Sequence, residues 1–166
     1  MATLHFICGK AASGKTTLAR KLAVRHGAVL LCEDEWLAAL IEAPITTVAE
    51  YGRHARRLRA ILAPHATELL EKGVSLVFDF AGNTPADRAW VRSIFERAGA
   101  EHMLHCIIAS DALCKTRLRI RNETKPVGIY YGDVSEALFD EVTRYFVPPA
   151  DQENFRITNH DAERSG

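Results

Sequence analysis

The chain has 166 residues, 48% of them apolar and 25% charged, which is the length and balance of one ordinary globular domain spanning residues 1–166. Its 21 Lys and Arg offset its 21 Asp and Glu, so no overall field draws it to nucleic acid or an anionic membrane, and a small-molecule partner is expected. No apolar run reaches the roughly 18 residues of a membrane helix, and Cys8, Cys32, Cys106 and Cys114 lack metal or redox spacing, so buried thiols and a cytoplasmic setting are expected.

Leu4 to Cys8 reads as a first strand ending at a glycine, and Ser13 to His26 as a helix with Leu18, Ala19, Leu22 and Ala23 at helical spacing. Between them, Gly9-Lys10-Ala11-Ala12-Ser13-Gly14-Lys15-Thr16 fits G-x-x-x-x-G-K-[ST] at every fixed position. Glycines at 9 and 14 let the backbone turn tightly, so that successive N–H groups point at phosphate oxygens. The helix that follows adds its positive end beneath the anion. Lys15 is expected to bridge the outer phosphates and Thr16 to ligate Mg²⁺. Ala11, Ala12, Ser13 and Thr17 complete the expected nucleotide-contacting set. The pattern implies ATP and Mg²⁺ without by itself implying a kinase.

Val29 to Cys32 reads as a second strand, followed by a helix opened by Glu33-Asp34-Glu35. Asp34 should emerge at the same sheet edge as the glycine-rich loop, where a carboxylate can take the proton of an attacking hydroxyl. Asp34 also suits a helix N-cap; Glu33 and Glu35 read as solvated neighbours. Thr47 to Lys72 carries a long helical pattern with Tyr51, Ala55, Leu58, Leu62, Ala66 and Leu69 on one face. Pro64 inside it predicts a kink or two abutting helices. Arg53, Arg56 and Arg57 form a basic face that reads as solvated; if functional, it would hold an anionic acceptor.

Val74 to Phe80 is the third strand, and Asp79 near its end matches a Mg²⁺-holding carboxylate. Ala81 to Thr84 forms a small-residue loop including Asn83, Thr84-Pro85 starts a helix to Ala98, and Arg88 is expected to reach back into the cleft. His102 to Ile108 reads as a fourth strand and Asp111 to Arg121 as a helix, with Arg117, Arg119 and Arg121 leading into a loop over 122–133. Such a basic helix end beside a loop suggests a lid over the transferring phosphate. His102 and His105 fall on opposite faces of their strand and read as structural. Ser135 to Phe146 is a last helix, Phe155 to Thr158 a fifth strand, and 161–166 a frayed tail. Strands alternating with helices predict an α/β domain with a parallel sheet.

Taken together, the loop Gly9 to Thr16, Asp34, Asp79 to Thr84 with Arg88, and Arg117 to Asn122 resemble the small P-loop kinases grouped as AAA-type zeta-toxin/polynucleotide-kinase-like phosphotransferases. Chloramphenicol phosphotransferase and gluconate kinase are more distant members of the same group. The resemblance implies a three-layer P-loop NTPase fold with five parallel strands ordered 2-3-1-4-5, a helical acceptor-binding insert over residues 36–72 and a lid over 117–134. It further implies Asp34 as catalytic base, Lys15 and Thr16 on phosphate and Mg²⁺, and Arg117 and Arg121 on the transferring phosphate. Asp34, Trp36, Arg57, Asn83 and Arg88 are the expected acceptor contacts. One departure matters: where polynucleotide-kinase-like members place an arginine three residues after the acid, this chain has Leu37 beside Trp36. That makes the acceptor pocket too apolar for a nucleic-acid end.

The leading expectation is an ATP-dependent kinase for a small-molecule hydroxyl, as a monomer or homodimer. The alternatives are an NTPase or regulatory switch acting through a protein partner, and a zeta-toxin-like kinase for a sugar nucleotide. A guanine-specific switch is disfavoured because no N-K-x-D motif is present.

Overall fold

The computed structural model describes residues 1–42 and 47–164; residues 43–46, within the expected acceptor insert, and 165–166, in the expected tail, lie outside the described residues. Strand β1 (Thr3–Cys8) is followed by α1 (Lys15–His26), β2 (Val29–Cys32), α2 (Glu33–Leu40), α3 (Val48–Glu71) and β3 (Leu76–Ala81). Then come α4 (Pro85–Arg97), β4 (Glu101–Ile108), α5 (Asp111–Thr124), α6 (Glu136–Thr143) and, after a short 3-10 turn, β5 (Ile157–Asp161). The strands form one parallel sheet in the order β2-β3-β1-β4-β5, as the resemblance implied.

Period-two alternation splits the strands between two cores. Leu4, Phe6, Leu76, Phe78 and Leu104 face α3 and α4, where Leu62, Ala66, Leu70, Val91 and Ile94 meet them. Ile7, Val77 and Ile107 face the other way, onto Ala19 and Leu22 of α1. All four cysteines are buried and free.

Several expectations need correction. α3 is one helix through Pro64 and not two abutting ones, because burial of Leu58, Leu62, Ala66 and Leu70 along one face outweighs the hydrogen bond that proline forfeits. α5 extends to Thr124, three residues beyond its expected end. β5 lies at 157–161 instead of 155–158. The start of the expected tail is packed: Ala162 is buried, and its N–H donates to the Ile108 carbonyl.

Candidate functional site

The loop between β1 and α1 adopts the conformations its sequence allows. Gly14 sits at φ 110 as the N-cap of α1, and Ala12 holds a left-handed φ of 56. A side chain is strained there unless the surroundings fix it. Gly9 has no room for a Cβ, which would fall 2.7 Å from Ser13 Oγ. That hydroxyl oxygen is buried without a hydrogen-bond partner, an orphaned polar atom in the phosphate-loop motif that a bound anion would satisfy. Lys15 Nζ donates to the carbonyls of Gly9 and Lys10 at 2.8 Å each. Burial lowers its pKa, against the opposing pull of Asp79 and Asp34. The loop is an anion cradle by backbone geometry and by charge.

Asn83 secures this cradle from below. Its Oδ1 accepts from the Gly9 N–H and its Nδ2 donates to the Gly9 carbonyl, both at 2.9 Å. Both ends of the amide are therefore engaged by the loop, and Asn83 also borders the cleft. Arg117 braces the opposite side, donating to the carbonyls of Ser13 at 3.0 Å and Ala162 at 3.3 Å.

Opposite the loop stands Asp34. Its helix starts directly at the end of β2, so the carboxylate emerges at the C-terminal edge of the sheet, where ligands bind in open α/β folds. Burial among the cleft walls raises its pKa. The Tyr51 hydroxyl pulls it down, Asp79 pushes it further up, and Lys15 and Arg121 oppose that push. Asp79, on β3, pairs in register with Cys32 and accepts a hydrogen bond from its thiol at 3.4 Å. Burial is also the main reason that this thiol is pushed up to about 12.

One cleft of about 1960 Å³ joins Lys15, Thr16, Thr17, Asp34, Asp79 and Arg121. One side is lined by Leu37, Ile41, Val48 and Tyr51, and the other by α5 and the loop to Val134. Asn122 closes the base of that loop, donating from Nδ2 to the Val134 carbonyl at 2.8 Å and accepting from the Val134 N–H at 3.3 Å. Arg20 holds the loop's middle through the Gly128 carbonyl. Arg121 lies within electrostatic reach of Asp34, and its Nε is buried without a partner.

Other expected contacts are elsewhere. Arg88 is fully buried, with no exposed surface. Its Nε and Nη2 grip Glu153 at 2.8 and 2.7 Å, and Nη1 donates to the Gly82 and Val147 carbonyls. It fastens the segment before β5 to the loop after β3 and cannot touch an acceptor. Arg57 is exposed and lies outside the cleft. Trp36 packs between the α3–α4 core and the small cluster of Leu37, Ala55 and Leu58.

Glu33 overturns its solvated reading. It is 1% exposed and receives Arg59 through Nε at 2.6 Å and Nη2 at 3.0 Å. Arg59 Nη1 also bonds Asp87 at 2.6 Å, and its guanidinium lies over the rings of Phe80 and Trp90. Tyr51 joins the group, its hydroxyl 3.0 Å from both Glu33 Oε2 and Asp34 Oδ1. Sequence reasoning treated Tyr51 as a core residue and passed over Arg59. The available signal was an acid pair at the start of α2 facing polar side chains on the acceptor helix.

A family model described as AAA domain (AAA_33) matches residues 4–149. The chain belongs to this AAA-domain family. No curated protein matches it. Among solved structures it is similar to a candidate kinase from Chloroflexus aurantiacus, with 21% identity and a TM-score of 0.75 over 96% of this chain and 85% of that one. A gluconokinase from Sinorhizobium meliloti 1021 matches with 14% identity and a TM-score of 0.62, over 97% and 82% of the two chains. Kti12 from Chaetomium thermophilum, solved with ADP-AlF3, matches with 12% identity and a TM-score of 0.70, over 95% and 88%. At these identities the likeness is one of fold. No helix among the described residues is long and apolar enough to cross a membrane.

Proposed function

We propose that the protein is an ATP-dependent kinase that transfers the γ-phosphate to a hydroxyl of a small molecule. The observation that carries this reading is the shared cleft: a triphosphate cradle with its lysine on one wall and a carboxylate, Asp34, facing it from the other. The gluconokinase and candidate kinase among the similar structures support phosphoryl transfer on this fold.

In this reading the loop amides and Lys15 hold the phosphates, and the orphaned Ser13 hydroxyl finds its partner there. Thr16 and Asp79 both line the cleft, and their hard oxygen donors suit Mg²⁺ bound mainly through phosphate and water. When bound, the ion supplies charge neutralisation on the transferring group. Asp34 accepts the hydroxyl proton as the acceptor oxygen bonds to phosphorus and the bond to ADP breaks. Its raised pKa suits a group that must hold that proton transiently near neutral pH. Arg121, which lines the cleft, adds positive charge beside the phosphoryl group.

The test is ADP release measured with and without a panel of hydroxyl compounds. Stimulation by one of them should fall by roughly 10²- to 10⁴-fold in Asp34→Asn, while nucleotide binding is kept. Unchanged stimulated turnover in that variant would remove Asp34 from the chemistry.

A further inference from the structure

The two walls of the cleft carry opposite chemistry. Its cations stand on the phosphate loop, α1, α5 and the turn after it: Lys15, Arg117, Arg119, Arg121 and Lys125 among them. From Glu33 to Gly52, the stretch whose described residues include those of the facing wall, the sequence contains no Lys, Arg or His and five acids. Three of those acids, Glu33, Asp34 and Glu42, border the cleft together with the apolar Leu37, Ile41 and Val48. The nearest bases on the acceptor helix, Arg53, Arg56 and Arg57, are exposed, and among the described residues none of them lines the cleft. Arg59 is already spoken for by Glu33 and Asp87. Glu33 itself is neutralised by that pair. Asp34 feels Lys15 and Arg121 from the other side of the cleft, but its own wall carries no cation to offset Asp34 and Glu42.

A carboxylate or phosphate ester on the acceptor would face this wall without a cation, next to two like charges, in a site narrowed by apolar side chains. Burying an unpaired anion there is strongly disfavoured. An ammonium group would meet Asp34 or Glu42, and a neutral apolar face would cover Leu37, Ile41 and Val48. We therefore propose that the acceptor is an uncharged or cationic hydroxyl compound with an apolar face, and not a sugar acid, a sugar phosphate or a nucleic-acid end. This rests on the kinase reading above and narrows it.

The wall can be probed without knowing the acceptor. Three nitroxide radicals of one ring type, bearing an amide, an ammonium or a carboxylate, are added in turn to methyl-labelled protein holding Mg²⁺ and a non-hydrolysable ATP analogue. The methyl groups of Leu37, Ile41 and Val48 should relax roughly two-fold or more faster with the ammonium probe than with the carboxylate probe. That ratio should shrink in Glu42→Gln, which tests whether the wall or the nucleotide sets it. Equal or stronger relaxation by the carboxylate probe, or a ratio untouched in Glu42→Gln, overturns the proposal. A second arm compares kcat/KM for ADP release with matched neutral, amino, carboxylate and phosphate-bearing alcohols. The highest value for either anionic class would also overturn it. Failure of the kinase reading looks different: no acceptor gives Lys15-dependent turnover, while the nitroxide ratio still reports the wall.

Discussion

A phenol has one proton, yet the Tyr51 oxygen lies 3.0 Å from two carboxylates. Glu33 also receives two bonds from Arg59, so the phenol can donate to Glu33 while Asp34, once protonated, donates to the phenol; with Asp34 ionised, it can share its proton with both. Either protonation state of Asp34 thus keeps a partner, which suits a base that gains a proton during turnover. The phenol's hydrogen bond lowers the Asp34 pKa against burial. Tyr51→Phe should therefore raise that pKa and move the acidic limb of the pH–rate profile to higher pH. Because the ionised base is the active form, activity should fall most at low pH and recover as pH rises. A uniform loss at all pH values would mark Tyr51 as merely structural.

At the scale of elements, two arginines hold the site's frame, and neither was legible locally. Arg88 lies in a helix whose composition suggests exposure, but its partner Glu153 is 65 positions away. Arg59 sits near an exposed basic stripe, yet joins α3 to the starts of α2 and α4 through Glu33 and Asp87. Charged residues are seldom buried without partners, and a single sequence does not show partners brought together by the fold. The cradle was legible because its residues are contiguous and each backbone requirement leaves a mark in residue type, as at Gly9 and Gly14. Asp34 was legible because strand and helix abut. The bonds of Asn83 to Gly9 were not legible, since small-residue loops look alike whether they meet a ligand or a neighbouring backbone. Replacing Arg59 by Met strands a carboxylate that is 1% exposed, and should cost about 3–5 kcal/mol in urea unfolding. The double variant Arg59→Met/Glu33→Gln should recover much of that loss. A loss under about 1 kcal/mol would place the pair with ordinary surface bridges.

Across the whole molecule, three imidazoles span the sheet. His5 on β1 meets His105 on β4 at 3.1 Å, and His105 meets His160 on β5 at 3.0 Å. His26 of α1 stacks on His5 with ring centroids 4.4 Å apart. Burial, then the neighbouring His26, lowers His5 to about 4; burial, then the neighbouring histidines, lowers His105 to about 3. Well above pH 6.5 His5 and His105 are neutral in folded and unfolded chains alike, and pH has no leverage through them. Below 6.5 the unfolded chain takes up protons that the folded one refuses. Stability should then fall by about 1.4 kcal/mol per pH unit for each ring, down to about pH 4. Urea midpoints measured between pH 7.5 and 5 should show the decline, and His105→Asn should flatten it. The parallel sheet was readable from strands alternating with helices, and the strand order came from the family resemblance, whereas this row of histidines depends on register between strands far apart in the chain. The whole account stands on the grip of the first loop on a triphosphate, and one calorimetric titration tests it: Mg·ATP into the native protein and into Lys15→Ala. Saturable binding that weakens by about 100-fold or more in the variant, a loss of roughly 2.7 kcal/mol, is the predicted result. Binding of equal strength in both proteins, or none in either, would contradict it.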